Sequence, residues 1–205
     1  MRNVDAVCLA GFSEWLDLSG ALIHGLSHAW TNRIASLSSY LDLMSYGEKE
    51  FGADVFLPRE IDKLQALNQG MRLLVPRDEP PSAMELSPLV RDCLGLHAHH
   101  GRACAQQSQL VVTGEELPVR IAPRELTPVL LLLIEQSSAS EREANETSVV
   151  FTLVCEELTV SLQCLGARRV SAYMNVVAAE CGAQLTLTDA GVSLTLPTLL
   201  ALRAR

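Results

Sequence analysis

None of the six cysteines (Cys8, Cys93, Cys104, Cys155, Cys164, Cys181) stands in a CxxC pair. That removes a zinc-knuckle or dithiol framework and leaves reduced thiols of a cytoplasmic protein as the expectation. Long apolar runs are missing as well. The longest, Val129 to Ile134, is far too short to cross a bilayer. The N-terminus shows no basic, apolar, small-residue order, so no secretory signal is read there. Basic charge is scarce: the net charge is −8, which argues against nucleic acid and anionic membrane as partners. Aromatic residues make up only 4% of a chain that is 48% hydrophobic. Such aliphatic richness fits helices packed on helices, with apolar surface left over for a subunit contact.

What is present begins with a helical stripe. Ile23, Leu26, Trp30, Ile34, Leu37, Leu41 and Met44 recur at steps of three and four, the seam of a helix packed in a bundle. At about 100° per residue, His28 lies about 160° from the centre of that seam, with Asn32 one turn on. The face they share carries Ala21, Ala35, Ser36 and Ser39, small or polar. An imidazole aimed at solvent beside a carboxamide suits a reaction in which the partner comes to the histidine.

Residues 1–18 read as a short lead-in helix that Ser19-Gly20 breaks, and the first long helix as Ala21 to Tyr46. Gly47 and Gly52 mark a connection, and Pro58 opens a second helix with Ile61, Leu64, Leu67, Met71 and Leu74 on its apolar side. This hairpin, 21–75, closes only half a bundle, so a homodimeric four-helix bundle is expected. Residues 75–82 form a proline-rich, charged linker. Beyond it the pattern predicts a helix over 86–107, strands over 110–113 and 119–122, and a buried helix over 123–137. A strand pair follows over 148–155 and 158–165, then a helix over 168–181 stopped by Gly182, and strands over 183–188 and 192–196. The expected fold class is α+β: a helical hairpin (1–75) followed by an α/β sandwich (83–205).

This order of parts resembles the core of bacterial sensor histidine kinases. Leu26-Ser27-His28-Ala29-Trp30-Thr31-Asn32-Arg33-Ile34 looks like the family's H-box. Leu117 to Leu126 looks like the strand and helix start before the nucleotide-binding helix, and Arg168 to Leu196 like the last helix and closing strands. The departures are informative. Leu132 and Gln136 fall where the family places magnesium- and phosphate-holding asparagines, and leucine cannot ligate a hard cation. Gln163-Cys164-Leu165-Gly166 stands where an Asp-x-Gly-x-Gly loop is expected, and no later glycine-rich loop follows. Ala29 replaces the acid that usually follows the histidine and draws its proton.

The resemblance therefore narrows to dimeric histidine phosphotransferases with degenerate ATPase-like domains. It implies phosphoryl transfer between His28 and receiver-domain aspartates, with Asn32 holding a phosphate oxygen or orienting water. Thr31, Arg33 and Ser36 are the expected partner-binding residues, and response-regulator receiver domains the expected partners. No cofactor of the chain's own is implied, magnesium coming from the receiver. A receiver phosphatase, a non-catalytic pseudokinase scaffold and a divergent sensor kinase stay open as alternatives. No metal site is expected: His24 and His28 have metal-pair spacing without a third ligand nearby, and His97-Ala98-His99-His100 reads as a polar helix face. The run Glu141 to Glu146 reads as a solvated loop where kinases carry an ATP lid or its flanks.

Overall fold

A computed structural model of the chain describes residues 2–45, 53–75, 80–101, 107–143 and 148–204. Helix α1 (Arg2–Ser45) runs unbroken through the predicted stop at Ser19-Gly20. The Ser19 hydroxyl donates to the Leu16 carbonyl within the helix. Gly20 costs about 1 kcal/mol against alanine in a helix interior, and burial of Leu18 and Leu22 on either side outweighs it. Helix α2 (Ala53–Leu74) starts a turn earlier than expected and carries Pro58 inside it. A proline so near the N-terminus forfeits only one ladder hydrogen bond. The predicted connection at Gly47 and Gly52 lies outside the described residues.

The second unit opens with β1 (Ser82–Met84), an unpredicted strand that starts at the last residue of the predicted linker and pairs antiparallel with β3 (Val119–Ile121). Between them lie α3 (Leu86–His97) and β2 (Gln107–Thr113). Helix α3 ends ten residues short of the predicted boundary at 107, in tight turns where His99 N donates to Leu96 O and His100 N to His97 O. Helix α4 (Pro123–Glu143) follows, then β4 (Ser148–Cys155), β5 (Thr159–Leu165), α5 (Ala172–Glu180), β6 (Gln184–Leu187), β7 (Gly191–Pro197) and the unpredicted α6 (Leu199–Arg203). Helix α5 begins later than predicted because Ser171 caps it, its hydroxyl accepting from Met174 N. It ends where predicted: Gly182 takes φ +72° and Ala183 N reaches back to Ala178 O.

The five-stranded sheet has the order β2-β4-β5-β7-β6, parallel only between β2 and β4. Its inner face is set by alternation. Phe151 and Leu153 on β4, Leu162 and Cys164 on β5, and Val192 and Leu194 on β7 lie in register and are all buried. Against that face lies α4, whose run Val129 to Ile134 is buried all round its circumference, as a helix must be when neighbours cover every side. Helices α3, α5, α2 and α1 supply those neighbours. Leu18, Leu22, Leu26, Leu67 and Leu73 of the hairpin join the sandwich residues in one continuous apolar cluster. Cys93, Cys164 and Cys181 are buried in it as free thiols, and desolvation pushes Cys93 and Cys164 up to about 12 and Cys181 up to about 11. They are inert packing groups.

Candidate functional site

Helix α1 shows its surroundings more than one face, and this corrects the predicted seam. Of that stripe only Leu26 is buried, Trp30 and Leu37 are half-buried, and Ile23, Ile34, Leu41 and Met44 are exposed. The buried face is offset from it, through Leu18, Leu22, Leu26 and Tyr40. The heptad-like spacing was real, but it merged a face turned to α2 and the sandwich with a second apolar stripe of Leu16, Ile23, Ile34 and Leu41. By helical geometry the two stripes stand about 110° apart.

His28 lies about 120–130° from both stripes, and it is exposed. Asn32, also exposed, places Nδ2 at 3.2 Å from His28 Nδ1. With Nδ2 donating, the ring proton sits on Nε2. Rotating the carboxamide by a half turn presents Oδ1 instead, which accepts from Nδ1–H and leaves the Nε2 lone pair facing solvent. Asn32 thus sits where it can set the tautomer of the imidazole, a task that in other sites belongs to a carboxylate or backbone carbonyl.

The remaining predicted residues divide. Thr31 is exposed, with its hydroxyl donating to Ser27 O at 2.9 Å. Ser36 is half-buried and donates likewise to Asn32 O at 2.9 Å. Arg33 turns away from His28 and across the hairpin, where Nη1 stands 3.3 Å from Glu60 Oε2. Lys63 also pairs with Glu60, and the Lys63 hydrogen bond, aided by Arg33 against the cost of burial, holds the Glu60 carboxyl below its usual range. Arg33 is therefore part of the hairpin's own polar lock. Sequence reasoning missed Glu60, although an acid placed beside the apolar residues of an amphipathic helix was the available signal.

At the positions that the kinase resemblance assigns to a nucleotide, Leu132 and Gln136 are packed or hydrogen-bonded within the chain, beside an open cavity. Leu132 is buried. Gln136 accepts from Arg169 N through Oε1 and approaches Met174 Sδ through Nε2. The cavity beside them, ≈ 370 Å³, is lined on its far side by Glu14, Asp17, Leu18 and Ala21 of α1. Arg169 is tied to Glu14 at 2.9 Å. Helix α1 thus lies over this stretch of α4. The His97-to-His100 segment departs from the predicted polar helix face. His97 and His100 are buried, and His97 Nε2 stands 2.7 Å from Glu135 Oε2 on α4. The helix ends at His97, so His100 leaves the helical projection and swings inward.

No protein-family model matches the chain, and no curated protein does. Among solved structures, the histidine kinase AdeS of Acinetobacter baumannii is 13% identical with a TM-score of 0.43, over 83% of this chain and 96% of that one. A bacterial phosphotransferase is 12% identical with a TM-score of 0.41, over 88% and 96%. The histidine kinase ThkA, solved in complex with the response regulator TrrA, is 12% identical with a TM-score of 0.42, over 97% and 66%. At these values the likeness carries no functional weight, and the chemistry has to be argued from this chain's own residues.

Proposed function

We propose that this chain is a dimeric histidine phosphotransferase that exchanges a phosphoryl group between His28 and aspartates of response-regulator receiver domains, without binding ATP. The observation that carries this reading is the exposed His28 ring with Asn32 at 3.2 Å from its Nδ1. With the Asn32 Oδ1 accepting from Nδ1–H, the Nε2 lone pair attacks the phosphorus of an aspartyl phosphate in line. The P–O bond to the aspartate breaks and its carboxylate leaves with the electron pair. The product is a phosphoimidazolium whose remaining N–H is held by Asn32. Position and exposure are the main resources such a transfer needs. The receiver contributes the magnesium in this reading.

Three observations support it. Leu132 and Gln136, where the family places magnesium- and phosphate-holding asparagines, offer no hard-cation ligand set, and α1 lines the other side of the cavity they border. No acid follows His28, since Ala29 stands there. Leu16, Ile23, Ile34 and Leu41 of α1, with Ile61 and Met71 of α2, are left exposed by the single chain, and a second hairpin is the economical cover.

The test is incubation with a phosphorylated receiver, scored for acid-labile label on this chain. Wild type should take label. His28→Ala should take none while still binding the receiver, and Asn32→Ala should slow transfer by about five- to tenfold, the worth of one hydrogen bond. Transfer surviving His28→Ala would refute the relay. The exposed Asn32 carboxamide favours one second reading, a receiver phosphatase that orients water. That reading gains if His28→Ala still drains phosphate from the receiver and Asn32→Ala does not.

A further inference from the structure

We propose that His97, His100 and Glu135 form a binding site for one divalent transition-metal ion, zinc by the chemistry of the donors, at the joint where α3, α4 and α1 meet. The three are 38 residues or fewer apart in the chain and come from two elements. His97 closes α3, His100 sits one tight turn beyond, and Glu135 projects from the middle of α4. One ligand atom from each lies within 4.8 Å of the other two.

The convergence is closer than packing requires. His97 Nε2 is 2.7 Å and His100 Nδ1 is 3.6 Å from the same oxygen, Oε2 of Glu135. The second of these contacts is too long for a hydrogen bond. The two imidazole planes are 22° apart with centroids at 5.7 Å, so the rings lie nearly parallel. Tetrahedral zinc with nitrogen and oxygen ligands near 2.0–2.1 Å has ligand–ligand edges of about 3.3 Å. Edges of 2.7 and 3.6 Å bracket that value, and sub-ångström shifts of the carboxylate reach it.

The surroundings suit a metal. His97 is 1% exposed and His100 8%, so both rings are largely shielded from bulk solvent. Glu135 Oε1 accepts from Arg142 Nη2 at 2.8 Å, which fixes the carboxylate and leaves Oε2 aimed at the rings, the support that ligating carboxylates commonly receive. Two imidazoles and one carboxylate form a nitrogen-rich, intermediate donor set, fit for zinc and poor for magnesium or calcium. The ≈ 370 Å³ cavity lined by His100 and Glu135 leaves room for a water as fourth ligand. The hydrogen that His97 Nε2 now shares with Glu135 moves to Nδ1 or to solvent when the metal takes its place. Gly25 of α1 is packed against the His99 carbonyl, so an ion there pins the turn on which the hairpin rests.

The experiment uses the full chain stripped with a chelator and titrated with cobalt(II), then zinc(II). One cobalt per chain, with visible bands of a four- or five-coordinate ion displaced by zinc, and a higher Tm with zinc, is the expected result. His100→Ala and the isosteric Glu135→Gln, each checked for native circular dichroism, should weaken affinity at least about tenfold. His24→Ala, which breaks the exposed pair on α1, should leave it unchanged. Should His100→Ala fail to fold, Glu135→Gln decides alone. No uptake tighter than roughly 10 µM, or uptake lost with His24→Ala and kept in Glu135→Gln, would overturn the site and leave a hydrogen-bonded cluster only.

Discussion

Glu60 shows how one side chain couples the hairpin to pH. It is buried between α1 and α2 and faces Arg33 from one helix and Lys63 from its own. Its pKa in the folded chain lies below the ordinary 4.5. A carboxylate with a depressed folded value contributes stability in full above its unfolded value, and loses it as pH falls through the folded one. Urea midpoints for wild type and Glu60→Gln should therefore differ most near about pH 6 and converge toward about pH 3, wild type being the more stable at the upper end. A gap that stays constant over that range would show that the ion pairs add nothing. His28 stands at the other extreme. No burial or ion pair competes for it, so its replacement should remove chemistry and leave the fold intact.

Helix α1 owes its course to two glycines with opposite roles. At Gly20 an added Cβ meets nothing within 4 Å. Gly20→Ala should stabilise the chain by about 0.5–1 kcal/mol through backbone entropy alone. At Gly25 an added Cβ would overlap the His99 carbonyl oxygen. That backbone cannot yield without moving the end of α3, so Gly25→Ala should cost about 1–3 kcal/mol. Denaturant melts of the two variants are expected to shift in opposite directions, and a Gly25→Ala chain as stable as wild type would mean that α1 does not dock as described. The strands were legible because their alternation is clean: Val149, Phe151 and Leu153 point inward while Ser148 and Val150 do not. Helix boundaries were less so. Ser171 and Thr198 cap α5 and α6 through side-chain oxygens, and such local bonds leave little trace in hydrophobic period.

For the whole molecule, the open question of cover falls on the stripe of Leu16, Ile23, Ile34 and Leu41. These residues are exposed on the single chain and yet repeat along some 25 residues of α1. If two hairpins close a bundle across it, the chain sediments at near twice its 22.3 kDa mass. Ile34→Glu combined with Leu41→Glu should then give a monomer with unchanged far-ultraviolet circular dichroism, since both side chains are exposed in the chain. A wild-type monomer at micromolar concentration would sink the dimer and leave the stripe unexplained. Among the described residues no helix is long and apolar enough to cross a membrane, so a bilayer-spanning use of α1 is not available to cover it.

Periodicity and local chemistry were enough to place a helical hairpin before an α/β sandwich, to stop α5 at Gly182 and to put His28 on an exposed face, because helix period, strand alternation and glycine stops are written in neighbouring residues. They did not reveal which of α1's two apolar stripes faces inward, that Arg33 locks onto Glu60, or that His97 and His100 meet Glu135. Those are contacts between segments distant in the chain, and a linear pattern carries no information on which of several compatible faces a folded neighbour will cover.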